Sequence, residues 1–124
     1  MGMNDITGAV IASAIKVHRE LGPGLLESAY EACLVHDLRN RGFTVEQQVE
    51  LPNVFDGLVI DVGYRVDLIV NDTVIVELKA VLEMNPIFDA QIISYLKLSR
   101  KPVGLLINFH VEKLVDGVRR FKCG

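Results

Sequence analysis

The residues best placed to do chemistry are Asp67 and, further along, Glu77 and Lys79 within the segment TVIVELKAV, residues 73–81. Side chains alternate along a strand, so Glu77 and Lys79 project to the same face as Ile75, while Val74, Val76, Leu78 and Ala80 take the other. A carboxylate and an amine thus stand side by side in a β-branched, apolar strand. Charged groups are rarely buried unless something compensates them. If Asp67 joins them, two like charges at about 4 Å and an effective dielectric near 20 cost on the order of 4 kcal/mol. Protonation of one carboxyl, the Lys79 ammonium or a cation can relieve that cost. Oxygen ligands favour Mg²⁺, Mn²⁺ or Ca²⁺ over zinc or copper. A hydrated Mg²⁺ held by two carboxylates and a main-chain carbonyl suits phosphoester hydrolysis. A Glu-x-Lys pair on a strand is also common as a plain surface ion pair, and the spacing does not choose between the two.

Asp67 reaches the other two only if the turn between the strands has the right length. With a two-residue Asn71-Asp72 loop, Asp67 opposes Val76 and points away from Glu77. A three-residue loop, Asn71-Asp72-Thr73, or a five-residue one sets Asp67 opposite Glu77. Asn and Asp tolerate the left-handed conformation that three-residue loops use. An odd loop or an equivalent bulge is therefore expected.

The elements that must carry these residues follow from periodicity. Residues 4–21 predict a helix, capped by Asn4 or Asp5, with Ile6, Val10, Ala14, Val17 and Leu21 at helical spacing. Gly22-Pro23-Gly24 stops it. A second helix is expected from about Leu25 to Arg41, with the stripe Leu26, Ala29, Tyr30, Cys33, Leu34 and Leu38, and Gly42 as its stop. From Phe43 the period becomes two, with Val45, Gln47, Val49 and Leu51 on one face of a strand. Asp56-Gly57 signals a hairpin. A strand is expected over about 58–70, bent at Gly63, followed by the 73–81 strand. Pro86 opens a third helix to about Arg100, with the stripe Ile87, Gln91, Ser94, Tyr95 and Leu98. Residues 103–109 form an apolar strand, and Val118–Lys122 can add a last edge strand.

Several function classes are disfavoured. The 124 residues are expected to fold as a single domain. No apolar run approaches the ~20 residues of a membrane helix, and no signal-peptide pattern is visible. Cys33 and Cys123 form no disulfide framework, which predicts a reduced, cytoplasmic protein with no membrane partner. His18, His36 and His110 lack metal-ligand spacing, no glycine-rich phosphate loop is present, and Ser94 and Cys33 have no evident base. The net charge of −3 weighs against tight nucleic-acid binding. Arg100, Lys101, Arg119, Arg120 and Lys122 form either a basic flank for a nucleic-acid backbone or a solvated edge.

Gly24-Leu25-Leu26-Glu27-Ser28-Ala29-Tyr30 resembles the signature of the bacterial and archaeal GxxExxY proteins, which are placed in the PD-(D/E)XK nuclease-like superfamily. Residues 63–68 (GYRVDL), 75–81 (IVELKAV), 90–96 (AQIISYL) and 104–109 (GLLINF) look like that family's other blocks, in order over nearly the whole chain. The resemblance implies an α/β, restriction-endonuclease-like core: a mixed sheet of four to five strands flanked by helices, in the order α-α-β-β-β-α-β. It implies a divalent-metal-dependent nuclease using Mg²⁺ or Mn²⁺, acting on DNA or RNA. Asp67, Glu77 and the Leu78 carbonyl would be metal ligands, and Lys79 would activate water and stabilise charge. Glu27 would reach the site from the second helix, and Gln91 from the third. Each of these two has a plainer reading as well: Glu27 as a first-turn helix acid, Gln91 as a buried amide with an ordinary partner. At one position the chain departs from the family pattern, with Phe88 where a His often stands three residues before the Gln. Two rival expectations are a nuclease-fold module that binds nucleic acid or a protein without cleaving, and a homo-oligomer assembled through an apolar surface.

Overall fold

The computed structural model describes residues 1–60 and 64–123. Helix α1 spans Met3–Leu21 and buries Ile6, Val10, Ala14 and Val17, the spacing expected of an amphipathic helix. Its N-cap is Gly2, not Asn4 or Asp5. Asp5 acts from inside the first turn, where its Oδ2 accepts the Gly2 N–H at 3.1 Å, and that reach-back bond starts the helix earlier. Helix α2 spans Glu27–Asn40 and starts later than expected. Tyr30 explains the late start: its hydroxyl donates to the Gly22 carbonyl (2.6 Å) and accepts the Leu25 N–H (3.1 Å), holding the intervening turn outside the helix. Gly24 in that turn has φ 99°, a conformation glycine adopts without strain. The expected α2 stripe is partly wrong, since Leu26 and Cys33 are exposed while Val35 and Asp37 are buried. Asp37 is buried because α1 supplies its partners: Ser13 Oγ donates at 2.6 Å and Lys16 Nζ at 3.1 Å, with Arg41 Nε at 2.7 Å from its own helix.

Seven strands follow among the described residues: β1 (Val45–Glu50), β2 (Asn53–Phe55), β3 (Leu58–Ile60), β4 (Arg65–Val70), β5 (Val74–Lys79), β6 (Val103–Asn108) and β7 (Val118–Lys122). Helix α3 (Pro86–Ser99) links β5 to β6. The main sheet has the order β1-β4-β5-β6-β7; β5 and β6 are parallel and the other neighbours antiparallel. The long strand expected over 58–70 is two strands, because β2 and β3 form a separate hairpin. Its turn, Asp56-Gly57, has φ of 51° and 81°, the two positive values that a tight primed turn requires. The expected bend at Gly63 lies outside the described residues. The last edge strand is present as β7.

The sheet is covered on both faces. Val74, Val76 and Leu78 of β5 join Leu68, Val70, Leu105 and Ile107 beneath Val10, Ala14, Leu34 and Leu38 of the first two helices. Ile75 joins Ile69 and Leu106 beneath Ile92 and Leu96 of α3. The alternation expected of β5 therefore holds. The α3 stripe holds only in part: Tyr95 is buried and Leu98 packs against the core, but Ile87, Gln91 and Ser94 are exposed, and Ile92 and Leu96 are buried in their place. Gly104 sets this rotation, because a Cβ there would lie 2.9 Å from Ile92 Cδ1; the helix seats Ile92 over the bare backbone of β6. No helix among the described residues is long and apolar enough to cross a membrane.

Candidate active site

The turn that decides the site is Asn71-Asp72-Thr73. The β4–β5 ladder pairs Val70 with Val74, Ile69 with Ile75 and Leu68 with Val76, which leaves three residues in the loop. Asn71 and Asp72 are left-handed, with φ of 49° and 53°. Thr73 closes the turn through its N–H to the Val70 carbonyl (3.0 Å) and its hydroxyl to the Asn71 carbonyl (2.8 Å). Asn71 Oδ1 accepts the Thr44 N–H at 2.9 Å and ties the turn to the start of β1.

The next rung of this register is Asp67 opposite Glu77, and there the backbone ladder gives way to side chains. The Asp67 N–H donates to Glu77 Oε1 at 3.0 Å, and the Leu78 N–H donates to Asp67 Oδ2 at 2.8 Å. Each carboxylate takes up an amide of the opposing strand, so the strands part without stranding buried donors. The carboxamide of Gln48 lies 3.4 Å from Asp67 Oδ1.

Burial dominates the electrostatics. Glu77 is only 7% exposed, and desolvation followed by the Asp67 charge pushes its carboxyl up to about 8; the Asp67 N–H and Lys79 pull the other way. Lys79 is half-buried, its ammonium 4.4 Å from the centroid of the Phe88 ring, a cation–π distance. Thus Phe88, at the position where the resemblance calls for His, holds the site lysine against an aromatic face. Glu27, the first residue of α2, is exposed overall, yet its carboxyl is raised by partial burial, lowered by Lys79 and raised again by Asp67 and Glu31. Those influences put Glu27 within electrostatic reach of the Asp67 and Lys79 end of the site. Gln91 makes no hydrogen bond to it and lines a neighbouring groove with Tyr64, Ile87, Ala90, Ser94 and Tyr95.

Sequence reasoning passed over three residues here. Tyr95 is 8% exposed, and its phenol is raised by burial and then by the charges of Glu77 and Asp67 and by Tyr64. Asn108 closes the far end of β5: it accepts the Val81 N–H (3.1 Å) and donates to the Val81 carbonyl (2.9 Å), while Phe109 N–H bonds the Lys79 carbonyl (2.9 Å). An amide in an otherwise apolar strand was the available signal. Gln48 is the third. Three residues of the expected basic flank are engaged, Arg119 with Asp89 (2.7 Å), Lys101 with Asp72 (2.6 Å) and Arg120 with the Asn4 side-chain oxygen (2.6 Å), and they sit on a real edge strand and its neighbouring loop.

Among the described residues no three His, Cys, Asp or Glu side chains form a ready-made cage for a metal. The donor set nevertheless fits a hard divalent cation. Two carboxylates face each other, each with one oxygen held by a backbone amide, and one of them is too buried to ionise without compensation.

A mixed five-stranded sheet flanked by helices, with facing carboxylates and a lysine on its central strands, is a nuclease-type architecture. The family model described as the PD-(D/E)XK nuclease superfamily matches residues 4–121, and the chain belongs to that superfamily. Its fold is restriction-endonuclease-like, and nucleases of this superfamily generally use divalent metals. No curated protein and no solved structure matches the chain.

Proposed function

We propose that this protein is a divalent-metal-dependent nuclease of the GxxExxY kind, a cytoplasmic single domain over residues 1–124 that hydrolyses phosphodiester bonds in DNA or RNA. The observation that carries the reading is Asp67 facing Glu77 across the odd-length turn, with Lys79 on the same face of β5. Asp67, Glu77 and the Leu78 carbonyl would hold Mg²⁺ or Mn²⁺. Bound there, the ion would polarise the phosphate and lower the pKa of an attacking water. Lys79, braced by Phe88, supplies positive charge for the developing phosphorane oxygens. Glu27 adds a carboxylate at the rim, where it can take a proton from water, and Gln91 offers amide contacts to substrate in the groove beside Tyr95.

The test is cleavage of single- and double-stranded DNA and RNA with Mg²⁺ and Mn²⁺. Wild type is expected to cleave at least one substrate, with Lys79→Ala reduced about 100-fold or more, the scale of losing one transition-state charge partner. Equal activity in both proteins, or none in either, would overturn the reading. Phe88 at the family's His position favours one second reading: a module that binds nucleic acid or a protein without cutting. Its affinity would then survive Glu77→Ala.

A further inference from the structure

We propose that Gln48 is a positioning residue for Asp67, part of a relay from Glu31 on α2 through the Gln48 carboxamide to the Oδ1 oxygen. This rests on the reading of Asp67 as a metal-holding carboxylate. Three observations carry it. The β1–β4 ladder keeps one register throughout, pairing Val45 with Val70, Glu46 with Ile69, Gln47 with Leu68, Val49 with Val66 and Glu50 with Arg65. Gln48 is the position skipped, and by that register it lies beside Asp67. Second, Gln48 has φ 50°, a left-handed residue inside a strand, where a side chain with a Cβ is strained.

The third observation shows what the strained conformation accomplishes. Successive strand residues point to opposite faces, yet Gln47 and Gln48 both reach Glu31, through Nε2 to Oε2 at 3.0 Å and Nε2 to Oε1 at 2.9 Å. The left-handed turn brings the second carboxamide round to the side of the first. There the same Nε2 of Gln48 lies 3.4 Å from Asp67 Oδ1. With Oδ2 bonded to the Leu78 N–H, Asp67 is held at both oxygens, so its plane is set before any ion arrives. Outer partners of this kind orient ligands, and their loss typically weakens metal affinity by 10- to 100-fold. The two glutamates of this face of α2 divide the work: Glu27 stands toward the site, and Glu31 anchors the group that aligns Asp67.

The pair Gln48→Gly and Gln47→Ala tests this. Glycine accepts the left-handed backbone without strain, so the first variant folds and loses only the carboxamide. The second also loses a tether to Glu31 and leaves Asp67 untouched. In metal-free protein, hydrogen exchange at the Leu78 amide is expected to accelerate about tenfold in Gln48→Gly and to stay as wild type in Gln47→Ala. By calorimetry, the Mn²⁺ Kd is expected to rise about tenfold or more in the first and less than twofold in the second. Unchanged Leu78 exchange in Gln48→Gly, or equal effects in both variants, would overturn the positioning role. Failure of wild type to bind Mn²⁺ would instead overturn the metal reading, with the exchange data still deciding Gln48.

Discussion

Replacing Glu77 by Gln should make the metal-free protein more stable while removing its function. Glu77 is nearly buried, and its carboxyl is pushed from 4.5 up to about 8. Holding it ionised in the folded state therefore costs on the order of 5 kcal/mol, from the gap between 4.5 and about 8 at ~1.4 kcal/mol per pH unit. Local relaxation and water entry reduce this to about 2–3 kcal/mol. Gln keeps the shape and still accepts the Asp67 N–H through Oε1. The sign follows from proton binding. The folded state holds this proton more tightly than the unfolded chain, so wild type has the full stabilisation below pH 4.5 and loses it as pH rises through about 8. Glu77→Gln lacks that slope. Urea denaturation at pH 5 should show the two proteins nearly equal. At pH 9 the variant should be more stable by about 2–3 kcal/mol, or roughly 8–12 °C in Tm for a domain of this size. Mn²⁺ should raise the Tm of wild type and leave the variant unmoved. A variant no more stable relative to wild type at pH 9 than at pH 5 would refute the claim that this carboxylate is held at a cost to folding.

Two other predictions lie outside the carboxylate pair. Asp37 is desolvated, but bonds from Ser13, Lys16 and Arg41 outweigh burial and bring its carboxyl down to about 2. Its contribution is full above pH ~4 and is lost as pH falls through about 2, so Asp37→Asn should lower stability by about 1–2 kcal/mol at pH 7 and by little at pH 2, measured by thermal unfolding. Tyr30→Phe keeps the stack on Phe109, at 4.4 Å between centroids, but loses both hydroxyl bonds that hold the turn before Glu27. It should cost about 1–2 kcal/mol in urea denaturation and lower kcat, with substrate KM little changed.

How much was legible varies by element. The alternation of β5 was plain, because a strand buried on both faces must still send Glu77 and Lys79 one way and Val76 and Leu78 the other. The primed turn at Asp56-Gly57 was equally plain, since few residues tolerate its dihedrals. The faces of α2 and α3 were misjudged at Cys33, Leu26, Ile87 and Gln91, all apolar or neutral enough to pass for core. What rotates those helices is outside their own sequence: Ser13 and Lys16 drawing in Asp37, and the bare backbone at Gly104 receiving Ile92.

By itself, the amino-acid order determined which groups exist, which share a strand face and how parity would decide whether Asp67 meets Glu77. Periodicity and turn chemistry are local, so they can be read along the chain. Only the tertiary structure chose the three-residue turn, the parting of the strands at the carboxylates, the Phe88 ring beneath Lys79 and the left-handed Gln48 beside Asp67. Each of those depends on residues distant in sequence competing for one space, and that competition is settled by packing.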